Sequence, residues 1–385
     1  MKKSHKDETT LVTAGREPFA HFGAVNTPVF RASTILFPTH AALKARTQPF
    51  IYGRRATPTT RALEEALTEL ESGTRTVLVP SGLAACTLAL LSFCKAGDHI
   101  VVSDGVYGPT RHFCDTILRR WGIETTYVAP CDTAAWRKAI RDNTALFYLE
   151  SPSSLTFEVQ DLPLLAAEAR PHGIKILIDN TWATPLLFKP LELGADIVIE
   201  AITKYIGGHS DLTMGSVTAN KDAADALLDM HGHLGLTVGG DDAYLALRGL
   251  RTLATRLKRH AETGLTLARW LGARPEVTRV LHPALPDDPG HEIWRRDFRG
   301  TSGLFAFELK PCPPDALSRF LDGLQHFGMG YSWGGFESLI VPAQIARTAA
   351  YHAPQGPLLR ISAGLEEAGD LIADLEAAFA RFAAP

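Results

Sequence analysis

The stretch Asp196-Ile-Val-Ile-Glu-Ala-Ile-Thr-Lys204-Tyr-Ile-Gly-Gly-His-Ser-Asp211 decides the reading of this chain. Its first half, 196–201, is an apolar run that reads as a strand, and Lys204 falls just past its end, ahead of Gly207-Gly208. Upstream, Lys175-Ile-Leu-Ile reads as another strand and ends at Asp179, in the segment Asp-Asn-Thr-Trp-Ala-Thr-Pro (179–185). Taken singly these signals are weak. A lysine after a strand is usually solvated, and Asp-Asn after a strand is a common turn. Together, 25 residues apart with one helix-and-strand step between them, they say more.

A carboxylate at one strand end and a lysine beyond a later one suit pyridoxal phosphate (PLP). The lysine amine condenses with the cofactor aldehyde, and the aspartate keeps the pyridinium nitrogen protonated, which makes the ring an electron sink.

The chain around this pair supports a large α/β enzyme. Its 385 residues are 45% apolar and 21% charged, enough for two or three domains with a sizeable core. A formal charge of −3 leaves no basic footprint, which argues against a nucleic-acid partner. The five cysteines (Cys86, Cys94, Cys114, Cys131, Cys312) are scattered, with no Cys-x-x-Cys pair to suggest disulfides or zinc. The histidines, His231 and His233 included, lack a metal-ligand spacing, so no metal is expected. Met-Lys-Lys-Ser-His-Lys-Asp-Glu lacks the apolar stretch of a signal peptide, and the most apolar run, Leu83 to Cys94, is too short for a bilayer. A cytoplasmic protein with no membrane partner is the expectation.

Residues 1–55 carry many breakers (Pro18, Gly23, Pro28, Pro38, Pro49) and read as an extended arm. From Pro58 a threonine-capped helix places Leu63, Ala66, Leu67 and Leu70 on one face and stops at Gly73. Seven short apolar runs then alternate with helical stretches, beginning at Val77, Ile100, Tyr127, Leu146, Ile176, Ile197 and Met214. That alternation predicts a mostly parallel seven-stranded sheet with helices on both faces, over residues 56–245. A smaller α+β C-terminal domain is expected over 246–385. It opens with an Arg-rich helical segment (about 244–271) and continues with a strand, Gly303-Leu-Phe-Ala-Phe-Glu-Leu, showing period-two alternation. Helices from Asp315 and over Ala368 to Phe382 complete it.

Ligands of such sheets bind beyond the carboxyl ends of the strands, where the candidate site residues fall. Gly82, in Ser81-Gly-Leu-Ala-Ala, opens a helix whose amides and dipole suit a phosphate, although glycine before a helix is often only a turn. Tyr107 follows a strand and offers a ring to stack on a cofactor, or packs on its neighbours. Thr203 offers a hydroxyl to the phosphate. Arg360, between Leu359 and Ile361, reads as a strand arginine aimed inward at a carboxylate.

These segments resemble the Cys/Met-metabolism PLP-dependent enzymes, which have the aspartate aminotransferase-like fold (fold type I). The likeness runs nearly end to end. It rests on Tyr52-Gly-Arg-Arg, Ser81-Gly-Leu-Ala-Ala, Asp179-Asn-Thr-Trp-Ala, Thr203-Lys-Tyr-Ile-Gly-Gly-His-Ser-Asp, Arg248-Gly-Leu-Arg-Thr-Leu and Ser332-Trp-Gly-Gly-Phe-Glu-Ser. A finer likeness, to the bacterial cystathionine β-lyase group, rests on Gly23-Ala-Val-Asn, His282-Pro-Ala-Leu-Pro, Arg296-Asp-Phe-Arg-Gly-Thr-Ser-Gly-Leu-Phe and Tyr331-Ser-Trp-Gly-Gly.

The resemblance implies that Tyr52 and Arg54 reach a neighbouring subunit's cofactor phosphate, making the arm a tether in a homo-oligomer, usually a tetramer built of active dimers. It also implies phosphate-binding amides at Gly82 and Leu83, and Tyr107 stacked on the ring beside Lys204. Substrate contacts are implied at Tyr52, Tyr107, Tyr331, Ser332, Trp333 and Arg360, with Ser332 and Arg360 holding the α-carboxylate. The implied reaction converts an amino-acid thioether, L-cystathionine, to homocysteine, pyruvate and ammonia, with cysteine or cystine β-cleavage as a side activity.

Two departures bear on this. Ala201 stands where many family members have serine. Tyr331 and Ile51 stand where γ-eliminating and γ-replacing relatives carry acids, which favours β-chemistry over a γ-lyase or a homoserine-ester sulfhydrylase. A non-catalytic regulator on the same fold is the remaining alternative.

Overall fold

A computed structural model describes residues 6–349 and 351–382. Met1 to His5 of the N-terminal stretch read above, and the residues after 382, lie outside them. The apolar runs form seven strands: β1 (Arg75–Val79), β2 (His99–Ser103), β3 (Glu124–Val128), β4 (Thr144–Glu150), β5 (Lys175–Asp179), β6 (Ile197–Glu200) and β7 (Gly215–Ala219). Their order in the sheet is β1-β7-β6-β5-β4-β2-β3, parallel throughout except where β7 runs antiparallel to both β1 and β6.

The strands are apolar without alternation because both faces are covered. Ile100 and Val102 pack into one layer with the helices Gly82–Phe93 and Ala224–Leu234, while Val101, Phe147 and Leu149 pack into the other with the helix Leu162–Ala169. The helix Pro58–Leu70 begins as anticipated, with Thr57 and Thr60 forming a reciprocal capping box. The Arg-rich stretch is two helices, Gly240–Arg251 and Leu253–Gly272.

A second sheet contains β8 (Val277–Leu281), β9 (Leu304–Leu309), β10 (Phe327–Gly328), β11 (Ser338–Pro342) and β12 (Leu358–Ser362), ordered β10-β11-β12-β9-β8. The alternation anticipated for β9 is one of facing but not of burial, since all six residues are buried. Phe305, Phe307 and Leu309 face the C-terminal helices, while Leu304 and Ala306 face the first sheet's core beside Trp182 and Phe298. Both faces are covered, so neither needs polar residues. Glu308 is buried as well, and accepts from Arg279 (2.7 Å) and from the amide of Gln355 (2.6 Å).

The first 55 residues are not extended throughout. Asp7–Thr13 is a helix whose Leu11, 1% exposed, packs with Leu63, Leu67 and Leu250. Arg251 ties it down by donating to the carbonyls of Leu11 (2.6 Å) and Ala14 (2.9 Å).

Beneath the strand ends two carboxyls meet in the interior. Glu71 follows the helix Pro58–Leu70, Glu200 ends β6, and both are buried with Asn180 beside them. Burial pushes both proton affinities up, and each is the other's acidic neighbour, so the fold holds the pair protonated at least once. A carboxyl that binds its proton more tightly when folded contributes its stability fully below the ordinary value of 4.5 and loses it as pH rises. Glu71→Gln is therefore expected to flatten the loss of stability above that pH, measured as thermal unfolding across the acid-to-neutral range. An unchanged slope would show that the pair does not share a proton.

Candidate active site

The strand ends gather the candidate residues at one edge. β5 delivers Asp179, and the loop after β6 delivers Lys204. β12 delivers Arg360, set between Ala306 on β9 and Val341 on β11. Ser332 joins them: Lys204 Nζ lies 2.8 Å from Ser332 Oγ, and Arg360 Nη2 donates to the Ser332 carbonyl at 2.9 Å. Ser332 has φ +94°, unusual for a residue with a side chain. Such a conformation costs on the order of 1–3 kcal/mol and persists where surrounding bonds over-determine it. Here they do, from both Lys204 and Arg360. Gly334 at φ +78° allows the same loop to lie against Tyr205, where a Cβ would come within 3.0 Å of the backbone nitrogen. Trp333 covers the lysine, with Nζ 5.4 Å from the ring centroid.

This packing sets the charge of Lys204. Burial, followed by the positive charge of Arg360, lowers its pKa to about 8, while Asp179 opposes the fall. At pH 7.5 about a quarter of such an amine is unprotonated, against about one part in a thousand at the usual lysine value. Arg360 is itself lowered by burial, and its charge neighbours are the phenols of Tyr107 and Tyr331.

Asp179 is raised by burial and held down chiefly by Thr181, whose amide (3.0 Å) and hydroxyl (2.6 Å) both donate to Oδ1. The same hydroxyl accepts from the amide of Ala201 (2.9 Å), tying the end of β5 to the lysine loop. Among the described residues the one hydrogen-bond partner of Oδ2 is the Cys86 sulfur, at 3.9 Å. That oxygen is left for a cationic partner such as a pyridinium nitrogen.

At the next strand end a phosphate cradle is built. Ser81 caps the helix Gly82–Phe93 by accepting from Ala84 N (3.0 Å) through its hydroxyl and from Ala85 N (3.1 Å) through its carbonyl. The amides of Gly82 and Leu83 are the two of the first turn that this cap does not use. A Cβ at Gly82 would stand 2.6 Å from that of Ala201, so the close approach needs glycine. Carboxylate, amine and amide cradle fit PLP.

Other candidates are placed differently. Tyr107 sits beyond β2, about two-fifths exposed, with its amide donating to Glu150 Oε2 at 2.7 Å. Burial raises its phenol pKa. Thr203 lies beside the lysine, but its hydroxyl bonds the Met214 backbone both ways, donating to the carbonyl (3.1 Å) and accepting from the amide (3.0 Å). Tyr331 is 92% exposed at the mouth. Tyr52 and Arg54 form no hydrogen bond or ion pair with Lys204, Asp179 or Arg360 among the described residues. Tyr52 bridges Thr34, and Arg54 donates to the Gly232 carbonyl (3.3 Å).

Three residues of the site escaped sequence reading. Thr181 lay inside a quoted motif without a visible function. Cys86 looked like core. Glu150 meets Asp179 only because β4 pairs with β5 in that register, and burial and the Asp179 charge hold its carboxyl well above the ordinary range. Because the Thr181 hydroxyl lowers the Asp179 pKa, Thr181→Val is expected to raise it. The acid limb of the kcat/KM profile should then move to higher pH with the alkaline limb unmoved. An unshifted acid limb would remove Asp179 from that titration.

The family model described as Cys/Met metabolism PLP-dependent enzyme matches residues 8–380. A Rhizobium johnstonii protein provisionally described as a cystathionine beta-lyase is 50% identical, over 97% of this chain and 95% of its own. A cystathionine beta-lyase of Escherichia coli is 44% identical, over 98% of each. Among solved structures, the cystathionine gamma synthase of Xanthomonas oryzae pv. oryzae superposes with a TM-score of 0.92 at 32% identity, covering 99% of each chain. The chain belongs to the family of Cys/Met metabolism PLP-dependent enzymes.

Proposed function

We propose that this protein is a carbon–sulfur lyase that cleaves L-cystathionine by β-elimination to homocysteine, pyruvate and ammonia, with cysteine or cystine cleavage as a side activity. The observation that carries the β reading is the setting of Arg360. Its neighbours include the phenols of Tyr107 and Tyr331, and Tyr331 stands where γ-acting relatives are expected to carry an acid. The relatives named as cystathionine beta-lyases support the same reading.

When bound, PLP supplies an electron sink for the charge left on the substrate's α-carbon. The chain supplies the rest. Arg360 and the Ser332 hydroxyl orient the α-carboxylate, a bidentate cation and a donor on one side of the pocket. Lys204, its affinity for protons lowered toward neutrality, takes the α-proton. Asp179 Oδ2 would accept from the protonated ring nitrogen, and the amides of Gly82 and Leu83 would hold the phosphate. Tyr107 keeps its proton at neutral pH and would offer its ring to the cofactor's face.

Tyr52 and Arg54 complete the site of a second copy in this reading, within a tetramer of active dimers in the cytoplasm, where the free cysteines stay reduced. The arm that carries them exposes Phe19 (95%), Phe22 (106%) and Leu36 (84%), a degree of apolar exposure that a partner surface would cover.

Incubated with L-cystathionine, the purified protein is expected to release pyruvate with homocysteine. Release of 2-oxobutyrate with cysteine would make it a γ-lyase instead. Lys204→Ala should lose nearly all turnover together with the absorbance of the lysine–cofactor imine, and retained turnover would remove the lysine from its role. Co-refolding Lys204→Ala with Arg54→Ala subunits should recover about a quarter of native activity, because half of randomly paired dimers carry one intact site. No recovery would mean that sites are not shared between subunits.

A further inference from the structure

Tyr107 and Arg360 come from different sheets, yet one segment reaches the neighbourhoods of both. Residues 343–357 link β11 to β12, and on that hairpin Val341 pairs with Arg360. Partway along, 347–349 cross to the turn Asp104-Gly-Val-Tyr107 that follows β2. There Asp104, 1% exposed, accepts from the amides of Thr348 (2.9 Å) and Ala349 (2.9 Å) and from the Thr348 hydroxyl (2.9 Å). Arg111 pairs with the same carboxylate. Alongside, Arg347 turns its buried guanidinium to Glu158 (2.7 Å) and the Thr156 hydroxyl (2.5 Å).

The crossing is tight. A Cβ at Gly105 would meet Ser153 at 2.6 Å and Arg347 Nη1 at 3.1 Å, and the Ser154 amide donates to the Gly105 carbonyl at 2.9 Å. Two residues further on, the Tyr107 amide is held by Glu150. A buried carboxylate taking three donors from one strap and a cation from the helix that follows its turn fixes the two with little freedom. The catalytic groups themselves do not need this contact, since Lys204, Ser332 and Arg360 already bond one another.

We propose that Asp104 is a positioning residue which, through the strap 347–349, sets the spacing between the Tyr107 turn and the hairpin that carries Arg360. It thereby governs how the amino-acid end of the substrate seats between them. This rests on the roles given above to Tyr107 and Arg360.

The test uses the holoenzyme carrying Asp104→Asn, which puts an amide NH2 against donors, and Thr348→Val, which removes one bond and keeps the backbone pair. Amide hydrogen exchange, KM and kcat on L-cystathionine, and titration of cofactor absorbance with L-alanine are measured on each. Asp104→Asn is expected to speed exchange across 347–349 by about tenfold or more. KM and the L-alanine dissociation constant should rise about tenfold, while kcat falls less than about threefold. For Thr348→Val, a rise of about twofold to threefold in both constants is expected.

Faster exchange with both constants unchanged would reduce the strap to a structural tie and overturn the proposal. Raised constants without faster exchange would do the same. Should Asp104→Asn fail to fold, Thr348→Val and Arg347→Gln carry the same readouts, and unchanged constants in both overturn it. If the wild-type protein releases no keto acid from L-cystathionine, the functional reading fails, while the strap is still decided by exchange and L-alanine binding.

Discussion

A largely buried lysine amine held between a guanidinium and a carboxylate is the constraint on which this structure turns. Arg360 and burial push the Lys204 proton off, and Asp179 pulls it back. Neither neighbour is stable alone in such a place, because an unpaired buried charge is costly and groups shift their proton affinity to avoid it. The surrounding structure answers each in turn. Thr181 bonds the aspartate, Ser332 bonds the lysine and receives the arginine, and Trp333 closes the roof. The left-handed backbone at Ser332 fits this account, since that residue must turn a hydroxyl to Lys204 and a carbonyl to Arg360 at once.

That balance requires two sheets. The first provides the carboxylate and lysine at adjacent strand ends, β5 beside β6, and the second provides the arginine at the centre of β12. The faces of β9 are shared between the two cores, so the distance from Arg360 to Lys204 is set by packed side chains instead of by a free hinge. The crossing at Asp104 adds a second fixed point on the far side of the pocket.

Much of this was legible in the sequence, for identifiable reasons. Strands buried on both faces appear as unbroken apolar runs, so all seven of the first sheet stood out. Lysine and aspartate at strand ends carry a chemistry that few other pairings share. The second sheet was harder. Only β9 and the Arg360 strand had enough apolar length to be seen, whereas β10 has two residues and β8 is half exposed. The arm hid its first helix because seven residues with one buried leucine give no periodicity. Glu150 and Asp104 were invisible for a different reason. Their partners are set by strand register and by a crossing of some 240 residues, and neither leaves a local mark.

The most direct test is the proton affinity of Lys204 in cofactor-free protein, read from the pH dependence of its labelling by an amine-reactive reagent with quantification by mass spectrometry. The account predicts an inflection near pH 8 for the native chain and a higher one for Arg360→Gln, because the removed charge disfavoured the ammonium form. A native inflection at the ordinary lysine value of 10.5, or one that Arg360→Gln leaves in place, would contradict it.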